Sequence, residues 1–292
     1  MSVSAMAEGR AAFRRSVVGK VILTPKGGLS GCYLVVLILL ALFAPWITPY
    51  PYDAQDLKIA SHAPSLANWL GTDEFGRDVL SRIIYGARTS LSVSVAAISI
   101  SVFVGMVLGA TAGYFGGMFD RAVTTVVDLS WSFPEILLAL VLVAIIGPGL
   151  HSTMFAIGIA YLAQFTRLTR SQILSLKSQT YVEATISLGA SHRHVVFRHL
   201  IPNALAPVAV CGMLATGDAI ILEATLGFFG LGAQPPVPSW GAMMSSGSAQ
   251  IFKAPWIIIV PGLAVALTTV AINLFGDALI RALDIRAQLR EG

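Results

Sequence analysis

The chain has 292 residues, of which 55% are hydrophobic and only 12% are charged, and its mean hydropathy is +0.77. Soluble domains carry about twice that share of charge, so the composition excludes a soluble enzyme or binding module and predicts a polytopic membrane protein. The net charge of +4 does not indicate a nucleic-acid partner, because the basic residues lie where membrane topology requires them. Cys32 and Cys211 lie in apolar segments without metal or redox spacing, so we expect neither a metal site nor a disulfide.

Six segments reach or approach the roughly 20 apolar residues that a membrane-spanning helix needs. They are residues 29–48, 90–112, 126–146, 152–166, 204–226 and 256–276. We therefore predict an all-α membrane protein with six transmembrane helices. Its predicted parts are a cytoplasmic N-terminal segment (1–28), a first transmembrane helix (29–49), an extracytoplasmic loop (50–89), a five-helix core (90–280) with a cytoplasmic loop (167–202), and a cytoplasmic tail (281–292).

The orientation follows from the basic residues between these spans. With both termini inside, the inner segments collect fourteen Lys and Arg residues and the outer segments five. Short loops rich in Lys and Arg stay in the cytoplasm, which predicts cytoplasmic N- and C-termini. The apolar run after the basic N-terminus is long enough to span, and no small-residue cleavage pattern follows it, so we expect no cleaved signal peptide.

The second span carries one face without bulky side chains. Ala97, Ser101, Gly105, Gly109 and Gly113 recur at every fourth position. Small residues at this spacing let helix backbones approach closely in a membrane. The pattern predicts close helix packing, within this chain rather than against another subunit, although both remain open.

The longest polar stretch, residues 167–202, holds five basic residues and a single acid, Glu183. The spacing of Thr180 and Glu183 predicts a capping box at a helix start. Gly189 predicts a helix stop, and Ser191 predicts the cap of a second short helix. A basic helical hairpin on the cytoplasmic side predicts a binding site for a soluble partner.

Several acids lie within or near predicted spans: Asp128, Glu135, Asp218, Glu223 and Asp277. An ionisable group at membrane depth indicates function, because burying it is costly. Two of them, Asp218 and Glu223, are the deepest, and their five-residue separation places them on different helix faces. We favour a role in a solute pathway or in polar packing over a proton relay, since no basic side chain lies in the same spans.

No pattern for catalysis is present. Histidines occur only in loops or at span edges, and the spacing of His192 and His194 does not suit a metal site on a helix. The chain also lacks the glycine-rich phosphate-binding loop that ends in Gly-Lys-Ser/Thr, so it has no nucleotide site of that kind. We expect no enzyme activity, no bound cofactor and no metal.

Two outer segments combine glycine with charged or aromatic residues. Residues 69–90 precede the second span, and residues 227–241 follow the fifth with three prolines and Trp240. They are typical either of an interfacial aromatic belt or of a rigid outer surface that seals or receives a solute.

Three segments together resemble a known family. Residues 69–91, residues 223–241 and the loop with Glu183, Ala184, Gly189 and Pro202 are similar to the second ("C") permease subunit of ABC importers for dipeptides, oligopeptides and nickel. The loop matches the EAA motif of such importers. It departs from the motif at two positions, Thr185 in place of Ala and His199 where Ile is frequent.

The resemblance implies a type I ABC importer (MetI-like) permease in a bacterial inner membrane. The EAA loop would dock into a separate ATPase subunit, which binds ATP and Mg. A homologous permease would complete the pathway, and an extracytoplasmic solute-binding protein would deliver peptides or related small solutes. The residues expected to act in coupling are Thr180, Glu183, Ala184, Leu188, Gly189, Ala190, Val195 and Pro202.

A transporter driven by a proton or ion gradient is the alternative, because acids lie at membrane depth. Uptake by an ABC importer is lost when ATP is depleted. Uptake by a gradient-driven transporter is lost when an uncoupler is added.

Overall fold

The computed structural model describes residues 17–288, and every regular element in that range is a helix. This confirms the predicted all-α class. The first sixteen residues of the predicted N-terminal segment and the last four of the predicted tail lie outside the described residues.

The helices follow one another closely along the chain. They are α1 (Val17–Ile22), α2 (Pro25–Leu42), α3 (Ala44–Ile47), α4 (Val79–Phe115), α5 (Gly117–Trp131), α6 (Glu135–Ile146), α7 (Leu150–Lys177), α8 (Thr180–Ser187), α9 (His192–Phe228), α10 (Trp240–Ser248) and α11 (Trp256–Gln288). A short 3₁₀ turn, Leu57–Ile59, lies between α3 and α4.

Four described helices, α2, α4, α9 and α11, are long and apolar enough to cross a membrane. If the bent pair α5–α6 counts as one span, the number of candidate spans is five. The fourth predicted span, 152–166, lies in α7, a long helix whose polar half keeps it below that limit. The predicted number of six spans is therefore not confirmed by length and composition.

The third predicted span, 126–146, is broken near Pro134, where the proline was expected to kink it. The chain breaks between Trp131 and Glu135, and α5 and α6 meet at 95°. Pro134 has an extended backbone, with φ −56° and ψ 133°. Proline also disfavours helical geometry at the residue before it, here Phe133, so the helix cannot continue through this point.

Two further predicted spans begin later in the chain than the helices that contain them. The second, expected from residue 90, lies in a helix that starts at Val79, with Asp78 accepting the Ser81 N–H at 2.8 Å as its cap. The fifth, expected from residue 204, lies in a helix that starts at His192. Apolar content marks only the part of a helix at membrane depth, whereas capping residues mark where it begins.

The centre of the fold is the close contact of α4 with α7. A Cβ on Gly105 would lie 2.7 Å from the Phe165 Cβ, and one on Gly109 would lie 2.8 Å from the Thr169 Cβ. A Cβ on Gly113 would come within 3.2 Å of the same helix. The small-residue face of α4 thus faces α7 of its own chain, which brings the two backbones together.

Candidate functional site

The segment between α7 and the membrane-depth part of α9 forms a compact unit, here called the docking element (residues 178–202). It contains α8, a tight turn and the first turns of α9, including the π-helical stretch Val195–Leu200. The prediction of a separate second short helix is wrong, because this helix runs on without a break into the spanning helix. The docking element is therefore rigidly joined to a membrane span.

The turn after α8 is a Schellman motif. The Gly189 N–H donates to the Ile186 carbonyl at 2.9 Å, and the Ala190 N–H donates to the Thr185 carbonyl at 3.3 Å. Gly189 has φ +84°, a conformation that L side chains rarely adopt. The predicted helix stop at Gly189 is confirmed.

The helix starts are only partly as predicted. Thr180 is the first helical residue rather than the cap; Gln179 holds the cap position with an extended backbone and no side-chain bond. The predicted capping box is wrong, because the carbonyl that accepts the Glu183 N–H, at 3.1 Å, belongs to Gln179. The cap by Ser191 is confirmed, since its hydroxyl accepts the His194 N–H at 3.4 Å.

An apolar core anchors the docking element to the bundle. Val182, Val195 and Leu200 are fully buried and pack with Tyr114 of α4 and Ile173 of α7. Val195, expected to act in coupling, has a side chain that lies wholly inside and offers no surface to a partner. Val195 instead fixes the element in place.

The outer side of the element is apolar and exposed. Tyr181, Ile186, Leu188 and Phe197 form this surface, called the docking face; Leu188 is 89% exposed and Phe197 69%. Three of the four were not predicted, since the sequence does not show which side of a short helix faces outward. Large exposed apolar groups outside the predicted spans make this face a candidate interaction site.

The other predicted coupling residues lie mostly at the surface. Thr180, Glu183, Ala184, Gly189 and Pro202 are exposed, and Ala190 is half-buried. The structure brings the residues of α8 and its turn together, whereas Pro202 lies beyond the π-helical stretch in α9.

Two of the basic residues of the polar stretch are neutralised within the chain. Arg170 binds both carboxyl oxygens of Asp120 at 2.5 and 2.6 Å, and Arg167 binds Asp128 at 2.5 Å. Asp128 is exposed and ion-paired to Arg167, which lies just beyond the predicted fourth span. The arginine of α7 and the acid of α5 are distant in sequence, and only the bundle brings them together.

A polar contact that the sequence did not indicate joins α4 to the docking element. The Tyr114 hydroxyl lies 2.8 Å from the His192 Nδ1. The Lys177 ammonium donates to the Tyr114 carbonyl, also at 2.8 Å. No sequence signal for this contact exists beyond an aromatic residue near the end of a small-residue helix.

At the opposite end of α4, residues 69–90 fold around a buried ion cluster. The Asp73 carboxylate binds the Arg77 Nε at 2.6 Å and the Arg82 Nε at 3.3 Å, and all three side chains are less than 10% exposed. The Trp256 indole N–H donates to the Thr72 carbonyl at 3.1 Å. This arrangement favours the rigid outer surface over the interfacial belt.

The second outer segment packs directly on α4. Trp240 is fully buried, and its indole N–H donates to the Ile83 carbonyl at 3.1 Å. Its backbone N–H donates to the Ser90 hydroxyl at 3.3 Å. An interfacial role for Trp240 is therefore wrong, because the side chain lies inside the protein.

The two deepest acids have different surroundings. Asp218 is exposed on α9, whereas Glu223 is fully buried near the outer segment, with Ser90 and Ser239 as its polar neighbours. Within the described residues, neither carboxyl oxygen of Glu223 has a partner in hydrogen-bond geometry. The different faces predicted for these two acids are confirmed. Their roles in a pathway or in packing stay a prediction.

Residues 105–288 match the protein family described as "Binding-protein-dependent transport system inner membrane component". Residues 28–64 match the "N-terminal TM domain of oligopeptide transport permease C". The first match covers the docking element and the helices that hold it, and the second covers most of α2 and the segment after it.

Curated relatives are similar over most of their length. The dipeptide transport system permease protein DppC of Alkalihalophilus pseudofirmus is 41% identical over 85% of this chain and 81% of that protein. The glutathione transport system permease protein GsiD of Pectobacterium atrosepticum is 40% identical over 87% of this chain and 85% of that protein. Among solved structures, an inward-facing MetNI methionine ABC transporter chain aligns with TM-score 0.53 and 20% identity, over 69% of this chain and 95% of that chain. This last likeness shows a shared fold.

Proposed function

The chain belongs to the family of binding-protein-dependent transport system inner membrane components, and from this premise we propose that it couples ATP hydrolysis on a separate subunit to solute import. It forms half of a translocation pathway, and a homologous permease forms the other half. ATP and Mg bind to the partner ATPase. An extracytoplasmic solute-binding protein delivers the solute.

The docking face carries this proposal. Tyr181, Ile186, Leu188 and Phe197 are apolar and exposed, while the element that bears them is anchored by fully buried side chains. Exposing such groups on a rigid support is unfavourable unless a partner covers them. ATP-driven import by a chain without a glycine-rich nucleotide loop requires a partner ATPase, and this face offers the surface for it.

The solute class follows from the relatives. Named relatives transport dipeptides or glutathione, both of which are small peptides. We propose a di- or oligopeptide or a similar small solute as the cargo of this chain.

We propose that the docking element and both termini lie in the cytoplasm of a bacterial cell. Arg193 and Arg198 are exposed on the element, in agreement with the retention of basic loops inside. The buried ion cluster around Asp73 and the Trp240 segment then lie outside, where a solute-binding protein would approach.

Replacing Gly189 with Val tests the proposal. Val is strained at φ +84°, so the turn after α8 deforms and the docking face shifts away from its partner. We expect Gly189→Val to lose most ATP-driven uptake and to release the ATPase subunit during co-purification, at unchanged membrane abundance. Wild-type uptake at equal abundance would contradict the proposal.

Gly230 provides a matched control. It ends α9 with φ +77°, and its N–H donates to the Gly227 carbonyl at 3.0 Å in the same kind of turn. Gly230→Val introduces the same backbone strain far from the docking face, so the ATPase subunit should stay bound.

Uptake that survives ATP depletion but stops with an uncoupler would instead indicate gradient-driven transport.

A further inference from the structure

We infer that Tyr114 and His192 are positioning residues for coupling, and that their side-chain contact sets the angle of the docking element relative to α4. The inference rests on the proposed function and identifies the internal contact by which movement of the docking element reaches the membrane helices. Neither residue belongs to the motif that the loop resembles.

The contact is close and buried on the tyrosine side, whereas His192 is exposed. Tyr114 is the penultimate residue of α4 and is only 6% exposed. Its hydroxyl lies 2.8 Å from the His192 Nδ1, and the two rings meet edge to face with centroids 5.6 Å apart. Depending on the His192 tautomer, the hydroxyl donates to Nδ1 or Nδ1–H donates to the hydroxyl, so the bond forms in either state.

Tyr114 is held from a second side as well. The Lys177 ammonium, at the end of α7, donates to the Tyr114 carbonyl at 2.8 Å and lies 5.3 Å from the centre of its ring. A cation at the C-terminus of a helix is favourable because the last carbonyls of α4 are partly negative. Lys177 directly precedes the docking element and His192 lies within it, so two separate points of this segment meet at one tyrosine.

The remaining contact between the docking element and α4 is apolar. Val182, Val195 and Leu200 contribute buried hydrocarbon, which stabilises without a preferred direction. A hydrogen bond weakens steeply when its angle changes. Among the described residues, the Tyr114–His192 bond is the one side-chain hydrogen bond that joins residues 178–202 to α4. It therefore supplies the directional restraint that apolar packing lacks.

The bond lies at one end of a long helix, so its effect extends to the other end of that helix. Helix α4 is continuous from Val79 to Phe115, a length of about 55 Å. Its other end receives Trp240 through the indole bond to Ile83. A tilt of α4 imposed at Tyr114 therefore also moves the opposite end of this helix, at the outer surface.

The test uses the complete importer, reconstituted with its ATPase subunits and binding protein. Tyr114→Phe removes only the hydroxyl, and His192→Leu removes the partner nitrogen. Uptake of labelled dialanine or glutathione per ATP hydrolysed should fall about fivefold in each variant, the effect of losing one hydrogen bond. The double variant should be no worse than either single one, because both remove the same bond.

A conservative variant separates positioning from folding. His192→Asn keeps a polar atom near the position of Nδ1. This variant should recover part of the lost uptake per ATP hydrolysed. The matched control is Tyr33→Phe, which removes a tyrosine hydroxyl bonded to Thr268 at 3.0 Å away from the docking element. That variant should keep the wild-type ratio.

A second measurement does not depend on the solute. Spin labels at Val107 on α4 and Ser187 on α8, in a protein with Cys32 and Cys211 replaced by Ala, report the angle of the docking element directly. Tyr114→Phe should broaden their distance distribution, and His192→Asn should leave it narrow.

Two results overturn the inference: an unchanged ratio with an unchanged distance distribution in Tyr114→Phe, or losses that multiply in the double variant. Failure of the proposed function is distinguishable, because then Gly189→Val would transport like the wild type. If Gly189→Val uncouples transport while Tyr114→Phe does not, the proposed ATP-coupled import is supported and the positioning role of Tyr114 is contradicted.

Discussion

The two ends of α4 are built in opposite ways. At its N-terminal end, charged side chains are buried and paired with one another, as in the cluster of Asp73, Arg77 and Arg82. At its C-terminal end, Arg193 and Arg198 stay at the surface, and the element there is anchored by apolar side chains. The first end thus conceals its charges, whereas the second exposes both charges and large apolar groups.

This difference indicates different mechanical roles. A buried ion cluster fixes one geometry, because any displacement leaves a charge without its partner in a poorly solvated site. An apolar anchor allows small rotations, and its exposed docking face offers surface to a second protein. We therefore expect changes at the N-terminal end of α4 to destabilise the fold and changes at the C-terminal end to disturb coupling.

The largest effect is expected from Asp73→Ala. It leaves the guanidinium groups of Arg77 and Arg82 without their shared carboxylate, and removing one partner of a buried ion pair costs about 3–5 kcal/mol. The protein should unfold at lower temperature in detergent, and its membrane abundance should fall. Asp53→Ala, at an exposed position of the same loop, is the control; equal thermal stability of the two variants would contradict the role of the cluster.

An intermediate effect is expected from Leu188→Asp on the docking face. Leu188 is 89% exposed, so the free energy of unfolding should change by less than about 0.5 kcal/mol. Its contact with an ATPase subunit, however, should weaken roughly tenfold, as in the loss of a central interface residue. Titration of the ATPase subunit onto the reconstituted permease measures this change.

The exposed Ser187 serves as the comparison for that variant. Ser187→Asp adds the same charge one position away at the edge of the docking face and should weaken binding much less. If both variants bind the ATPase subunit as tightly as the wild type, the docking face is not the contact surface.

The smallest effect is expected from Asp120→Asn. The Asp120 and Arg170 side chains are 18% and 29% exposed, and partly exposed ion pairs contribute at most about 1 kcal/mol. Thermal unfolding should shift slightly toward lower temperature, and the shift should shrink in high salt. The more exposed Asp128, replaced by Asn, should shift it still less; a large shift in either variant would show that charge pairing between α5 and α7 holds the fold.

Much of the fold was predictable because local chemistry controls it. The helix stop at Gly189 and the cap at Ser191 depend on neighbouring backbone groups only. A kink near Pro134 was expected from the proline, but hydropathy did not show that the two helices would meet at 95°. Proline geometry competes with hydropathy at such points, and geometry prevails.

The candidate site was predictable in its position but not in its surfaces. The basic stretch and Gly189 marked the docking element correctly in the sequence. Val195, expected to act in coupling, lies inside, whereas Phe197, which was not predicted, lies outside. Both lie in the π-helical stretch Val195–Leu200, whose wider turn departs from the regular α-helical period.

Three properties follow from the amino-acid sequence alone: the chain is a helical membrane protein, its second span has a face of small residues, and its basic loop contains a helix stop. These properties depend on composition and on residues a few positions apart. Helix packing was needed to show that Asp128 pairs with Arg167, that Trp240 is buried on α4 and that Tyr114 contacts His192. Those partners are 39 to 157 residues apart, and no local preference selects among such contacts until the helices pack.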